Sequence, residues 1–157
     1  MKKNDSELFE KMHIAGKLAA RTLDELTLFV KPGVTTNFLD KICYEYIKDH
    51  GGNSAPLYYK GFPKSCCTST NHIVCHGIPS EKVLKDGDIM NVDVTTFVDA
   101  HHGDTGRMFC IGDVSVKSKN LISATYESMM KAISIINEGI AETPGESLFY
   151  YRLVVYL

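Results

Sequence analysis

The stretch Cys75–Phe109, CHGIPSEKVLKDGDIMNVDVTTFVDAHHGDTGRMF, carries the strongest indications of the fold. Inside it, residues 89–94 form a mostly apolar run that contains Asp93, and this pattern predicts a buried strand. A bare carboxylate in such a strand is costly unless it is paired, hydrogen-bonded or bound to a metal ion. Asp93 is therefore the first candidate for a functional residue.

A second carboxylate, Asp104, follows on the predicted return strand. If the chain turns at the Val98/Asp99 junction, residues whose numbers sum to 197 lie opposite each other, and Asp93 faces Asp104. Directly opposed residues have Cβ atoms about 4.5–5.5 Å apart and share one face of the sheet. Two carboxylates at that separation repel each other unless one is protonated or a cation lies between them. The spacing favours a site for divalent cations such as Mn²⁺, Co²⁺, Fe²⁺ or Zn²⁺.

An alternative without a metal ion is also compatible with this spacing. In it, Asp104 pairs with Arg107, and Asp93 accepts hydrogen bonds from the backbone. The spacing of two aspartates alone does not decide between the two interpretations.

Two histidines lie beside the carboxylates in sequence. His76 follows a predicted strand at residues 73–75, where an imidazole could contact a substrate or carry a proton near neutral pH; an ordinary loop histidine is the alternative. Alternation along the return strand places His102 on the same face as Asp104. His102 is then a ligand, a neighbour of a ligand or a sheet-edge residue without a chemical role.

The rest of the chain predicts helices alternating with short strands, which is typical of an α+β fold. Apolar periodicity predicts helices over about residues 4–29, 36–50 and 118–136, the second with a cap at Thr35 or Thr36. Short β-like runs with turn residues fill residues 55–78, beginning at residues 57–59. After about residue 136 the helical pattern is lost, and an apolar, β-prone tail ends the chain.

Composition excludes several classes of protein. The 157 residues have a formal net charge of −2 and show no basic stripe, which argues against nucleic acid as a partner. No apolar run approaches the ~20 residues of a membrane span, and the N-terminus lacks the features of a signal peptide. The five cysteines are odd in number, include an adjacent pair and show no C-x-x-C spacing, so neither a disulfide framework nor a structural zinc site is indicated. This composition predicts reduced thiols and a cytoplasmic protein.

Four linked motifs give the chain a family resemblance over about residues 3–136. They are Gly61–Ser65 (GFPKS), Cys75–Pro79 (CHGIP), Leu84–Thr95 (LKDGDIMNVDVT) and His102–Thr105 (HGDT), preceded by Lys31–Thr36 (KPGVTT). In order and spacing they resemble type I methionine aminopeptidases. The resemblance implies the pita-bread fold, an α+β architecture in which a curved antiparallel sheet is backed by helices. It also implies metal-dependent removal of the initiator methionine from nascent chains.

The resemblance also implies a role for each matching residue. Asp93 corresponds to the carboxylate that chelates one ion of a pair of divalent metal ions, and Asp104 to the one that bridges both. His76 corresponds to the catalytic histidine that contacts the substrate near the scissile peptide. The pocket for the methionine side chain corresponds to Tyr59, Phe62 and Cys67. N-terminal methionyl peptides are the expected substrates.

The chain departs from the family pattern in its second part. The family completes its metal site with a histidine and two glutamates from the second half of the fold, which this sequence does not match. We therefore expect an incomplete catalytic domain over residues 1–136, the N-terminal half of the fold, and a divergent tail over residues 137–157. Such a chain is expected to have little activity alone. The alternatives are a non-catalytic peptide-binding or interaction fragment, and a half that needs a separate C-terminal partner.

Overall fold

A computed structural model describes residues 3–135 of the chain. Its elements are α1 (Lys3–Thr27), α2 (Thr36–Asp49), β1 (Asn53–Ser54), a 3₁₀ turn (Tyr59–Gly61), β2 (Cys67–Thr70), β3 (Ile89–Val98), β4 (His101–Cys110) and α3 (Val116–Ser134). These elements confirm the predicted α+β class. The chain divides into two compact units, one ending at Val114 and the other beginning at Ser115 with α3. The predicted divergent tail lies outside the described residues.

The sheet of the first unit is antiparallel and centred on β3. Strand β4 pairs with one edge of β3 along its whole length, whereas β1 and β2 pair with successive parts of the other edge. Two strand predictions are wrong. Residues 73–75 are a loop in which Val74 is 93% exposed, and the run at residues 57–59 leads into the 3₁₀ turn.

The two faces of β3 have different surroundings. Met90, Val92 and Val94 are fully buried on the face that packs against α1, whereas Asp93 and Thr95 are half-buried on the opposite face. The predicted strand is therefore present, but it is fully buried on one face only. Side chains alternate across a strand, so the apolar residues at even positions fill the core and Asp93 points away from it.

The two helices of the first unit close the core on that face. From α1, a stripe of small and aliphatic residues contributes Ala19, Leu23 and Leu26, and α2 contributes Leu39 and Ile47. Spacings of three, four and eight residues place each set on one face of its helix. Among residues 3–135, no helix is long and apolar enough to cross a membrane.

The start of α2 confirms the predicted cap. The Thr35 hydroxyl accepts a hydrogen bond of 3.2 Å from the backbone N–H of Phe38. This bond satisfies one of the backbone donors that the first turn of a helix leaves free. It also fixes the direction in which the chain enters α2.

The hairpin of β3 and β4 turns one residue later than predicted. Asp99 and Ala100 both have positive φ angles, 47° and 64°, as a two-residue turn of type I′ requires. Opposed residues therefore sum to 199, so Asp93 faces Gly106 and Asp104 faces Thr95. The predicted register is wrong by two residues. A shift of two preserves the face of every side chain, so Asp93 and Asp104 remain on one face as diagonal neighbours.

Replacing Ala100 with glycine is expected to stabilise the protein by about 0.5–1 kcal/mol. A residue with a Cβ is strained at positive φ, and Asp-Gly is a preferred sequence for this turn. The matched control is Ala20→Gly at an exposed position of α1, which is expected to destabilise by about 1 kcal/mol. Urea unfolding of both variants provides the measurement, and a loss of stability in Ala100→Gly would contradict the turn geometry.

Candidate active site

The face of the sheet opposite α1 forms the floor of a cavity of about 900 Å³. This volume is within the range of small-molecule and peptide-binding pockets. All six residues to which the family resemblance assigns a role contribute to its lining: Tyr59, Phe62, Cys67, His76, Asp93 and Asp104. They come from the 3₁₀ turn and its surroundings, β2, the loop after β2, β3 and β4. The structure therefore brings together residues that lie up to 45 positions apart in the chain.

The two carboxylates meet although they are not directly opposed. The carboxyl groups of Asp93 and Asp104 line the same cavity and lie close enough for Asp104 to affect the ionisation of Asp93. Burial, and then the charge of Asp104, raises the pKa of Asp93 to about 6. The alternative in which Asp104 pairs with Arg107 is wrong, because Arg107 Nη2 lies 2.8 Å from Asp24 Oδ1 on α1.

Thr95 is a site residue that sequence analysis missed. Its hydroxyl donates a 2.8 Å hydrogen bond to Asp104 Oδ1, and its side chain also lines the cavity. The bond fixes the orientation of the Asp104 carboxyl group through one of its two oxygens. The correct strand register would have revealed Thr95, because it stands directly opposite Asp104.

The raised pKa of Asp93 makes the stability of the metal-free chain depend on pH. The folded state holds this proton more tightly than the unfolded state, where the pKa is near 3.8. Stabilisation by the proton is therefore complete below pH 3.8 and is lost as the pH rises through about 6. We expect the chain with chelator to lose more stability between about pH 5 and about pH 7 than the Asp93→Asn variant. Urea unfolding at both pH values tests this, and equal losses would contradict it.

His76 lies at the cavity in an unusual backbone conformation. Its φ of +53° is in the left-handed region, which few residues other than glycine adopt. The ring is close enough to Asp93 to lower the pKa of that carboxyl against the stronger effects of burial and Asp104. His76 is an exposed loop residue, and it lines the same cavity as both carboxylates.

The residues assigned to a methionine pocket form part of the wall. Cys67 stands opposite Asp93 in the strand register and is 8% exposed. Burial and the charge of Asp93 raise the pKa of its thiol to about 11, so Cys67 stays protonated at neutral pH. Its side chain contributes a small, polarisable surface to the cavity wall. Phe62 is half-buried, whereas Tyr59 is 65% exposed at the rim.

The return strand places His102 as alternation predicted. It lines the cavity together with Asp104, and its ring lies 4.9 Å from the ring of Phe97 on β3. This aromatic contact orients the imidazole on the cavity face. The strand edge therefore presents an imidazole and a carboxylate on the same side.

The donor set fits divalent cations in kind but is small in number. Two adjacent carboxylates offer hard oxygen donors, and the raised pKa of Asp93 indicates a position where positive charge is favourable. Among residues 3–135, however, no group of three or more His, Cys, Asp or Glu side chains is arranged to hold a metal ion. Asp93 and Asp104 alone are therefore too few to complete the ligand set of a metal ion.

Comparisons with known proteins agree with this chemistry. The sequence profile of metallopeptidase family M24 matches residues 10–146. The methionine aminopeptidase of Rickettsia prowazekii is 57% identical over 131 residues, which are 83% of this chain and 51% of the relative. Its crystal structure gives a TM-score of 0.81 and covers 82% of this chain and 52% of that one. The chain spans about half the length of the curated relatives it matches.

Structures with lower sequence identity share the same fold. The methionine aminopeptidase of Thermotoga maritima has a TM-score of 0.81 at 35% identity, covering 83% of this chain and 53% of that one. An Xaa-Pro dipeptidase of Bacillus anthracis, at 19% identity, still gives 0.75 over 90% of this chain and 39% of its own. These likenesses confirm the predicted pita-bread fold, an α+β sheet backed by helices.

Proposed function

Since the chain belongs to metallopeptidase family M24, we propose that its described residues form one part of the active site of a methionyl aminopeptidase. The proposal is carried by one observation: the carboxylates of Asp93 and Asp104 line the same cavity as His76 and an apolar wall. It is supported by relatives named methionine aminopeptidase at 47–57% identity. Its substrates are N-terminal methionyl peptides of nascent chains.

In this proposal, Asp93 and Asp104 hold a pair of divalent metal ions with ligands from outside the described residues. When bound, such ions lower the pKa of water and polarise a carbonyl group. Thr95 fixes the orientation of Asp104, since its hydroxyl donates to one oxygen of that carboxylate. The metal remains one of Mn, Co, Fe or Zn.

The cavity wall recognises the substrate. Phe62 and the protonated thiol of Cys67 offer a polarisable, apolar surface that suits a thioether side chain. Tyr59 covers the pocket from the rim. His76 donates a hydrogen bond to the substrate near the scissile peptide, because it faces both the wall and the carboxylates. Location in the cytoplasm stays a prediction.

The test compares two proteins. One is the 157-residue chain alone, and the other is a joined enzyme in which residues 1–135 continue into the part of the Rickettsia prowazekii relative that this chain does not match. With Mn²⁺ or Co²⁺ and a methionyl peptide, we expect chelator-sensitive release of methionine from the joined enzyme and little from the chain alone. A metal ion held by two carboxylates binds weakly and does not position a reactive water.

Other outcomes would support the alternatives. Robust turnover by the chain alone would show that its own residues complete the site. Activity that arises on mixing the chain with a separately expressed second half would indicate a protein that needs a partner. Methionyl-peptide binding that survives both Asp93→Asn and Asp104→Asn, without turnover in either protein, would indicate a non-catalytic peptide-binding fragment.

A further inference from the structure

The loop that carries His76 is held to the sheet next to that residue. Around His76 the loop is open to solvent, with Val74 93% exposed and Cys75 exposed. Gly77, by contrast, is buried against β2. A side chain in the left-handed region is strained and keeps its conformation only where its neighbours hold it. The residue that follows His76 therefore determines where the imidazole lies.

Two hydrogen bonds hold Gly77 against β2. Its carbonyl accepts a 2.7 Å bond from the backbone N–H of Thr68, and its own N–H donates a 3.1 Å bond to the hydroxyl of Ser69. A Cβ at position 77 would lie 2.3 Å from the Thr68 carbonyl oxygen, so only glycine allows this approach. The first bond joins backbone atoms only, whereas the second depends on the Ser69 side chain.

We propose that Ser69 is a positioning residue for His76, acting through the buried hydrogen bond from the Gly77 N–H to the Ser69 hydroxyl. Ser69 is 6% exposed and is covered by Gly77, so it does not line the cavity or touch a substrate. Its neighbour two residues earlier, Cys67, lies on the same face of β2 and does line the cavity. The hydroxyl thus ties the histidine loop to the strand that forms the pocket wall.

Removal of this hydroxyl leaves a buried N–H without a partner. Such a donor is costly, and the loop reduces the cost by moving Gly77 towards water. His76 then leaves its place beside Asp93, while the sheet and the carboxylates remain. We expect a lower rate of the chemical step, with little change in the affinity for the methionine side chain. This consequence rests on the proposed function, whereas the hydrogen bond itself does not.

The first experiment measures the hydrogen bond in the 157-residue chain. Histidine carbonyls are labelled with ¹³C and glycine amides with ¹⁵N, so that NMR detects only the amides of glycines that follow a histidine. The sequence has three such glycines, Gly51, Gly77 and Gly103. In Ser69→Ala, hydrogen exchange at Gly77 is expected to accelerate about tenfold, as for the loss of one buried hydrogen bond, while Gly103 in β4 is unchanged. Unchanged exchange at Gly77 would overturn the proposal.

A matched control exists in the same sheet. Ser54 in β1 is also buried, and its hydroxyl has no hydrogen-bond partner among the described residues. Ser54→Ala therefore removes the same atom without breaking a bond, and exchange at Gly77 is expected to stay within a factor of about two. Equal acceleration in both variants would show general loosening of the sheet and would overturn the role of Ser69.

The second experiment asks whether Ser69 acts through His76 in the joined enzyme. Ser69→Ala is expected to lower kcat about tenfold with KM changed by less than about twofold, and Ser69→Thr, which keeps the hydroxyl, to restore most of the rate. In a His76→Ala background, Ser69→Ala is expected to add less than about a further twofold. An equal loss in that background would overturn the proposal. If the unsubstituted joined enzyme is inactive, the proposed function fails and the exchange result alone decides the role of Ser69.

Discussion

Replacing Asp104 with asparagine is expected to lower methionine release by the joined enzyme about a thousandfold, which corresponds to about 4 kcal/mol. The substitution removes one negative charge from a pair that together faces the cavity. A cation that the pair holds loses both a ligand and half of the local charge that attracts it. We therefore expect weaker metal binding as well, measured by calorimetry with Mn²⁺ and Co²⁺.

The fold should survive this substitution. Asparagine keeps a side-chain oxygen that can accept the hydrogen bond of the Thr95 hydroxyl, which Asp104 Oδ1 accepts at 2.8 Å. Circular dichroism and urea unfolding of Asp104→Asn are therefore expected to match the parent protein. A loss of activity without a loss of structure separates the chemistry of this carboxylate from its packing.

A matched control lies in the same hairpin. Asp99→Asn also neutralises an aspartate, but at the exposed turn, where asparagine tolerates the positive φ angle of 47°. Activity of this variant is expected to stay within about twofold of the parent, because a surface charge outside the cavity contributes little. Similar rates for Asp104→Asn and its control would contradict the proposed metal site.

Replacing Gly103 with alanine is expected to destabilise the protein by about 3 kcal/mol, or about 10 °C in Tm. A Cβ at this position of β4 would lie 2.2 Å from the backbone of Ala15 and Gly16 in α1, a distance that no side-chain rotation can relieve. The helix and the strand must move apart. Thr96 also donates a 2.8 Å hydrogen bond to the Ala15 carbonyl, so separation breaks this contact too.

Gly106 provides the matched control on the same strand. A Cβ there would meet its nearest atom at 3.5 Å, an ordinary van der Waals contact. Gly106→Ala is therefore expected to change the free energy of unfolding by less than about 0.5 kcal/mol. Differential scanning calorimetry of the two variants measures the contrast, and equal destabilisation would contradict the close approach of α1 to β4.

The close approach at Gly103 also connects the core to the site. Gly103 packs on α1, and the next residue, Asp104, points to the cavity on the opposite face. A displacement of β4 away from α1 therefore moves Asp104 relative to Asp93. In the HGDT segment, the glycine allows β4 to lie close to α1. This close approach fixes the position of the Asp104 carboxylate on the opposite face of the strand.

Elements that depend on local pattern could be predicted from the sequence. Apolar residues at helical spacing predicted the three helices within a few residues of their observed bounds, and Thr35 capped α2 as expected. Alternation predicted that Asp93, Asp104 and His102 share one face. Such features depend on a period of 3.6 or 2 residues and on side chains that act on their own backbone, so neighbouring residues are sufficient to fix them.

The exact pairing of residues across the sheet, and between the sheet and α1, depends on tertiary contacts that local pattern does not specify. A period of two residues cannot distinguish registers that differ by two, so the pairing of Asp104 with Thr95 followed from the left-handed turn at Asp99 and Ala100. Arg107 binds Asp24 of α1, 83 residues away, instead of the nearby Asp104. Contacts of this kind depend on how α1 packs across the sheet, and packing is set by the whole core at once.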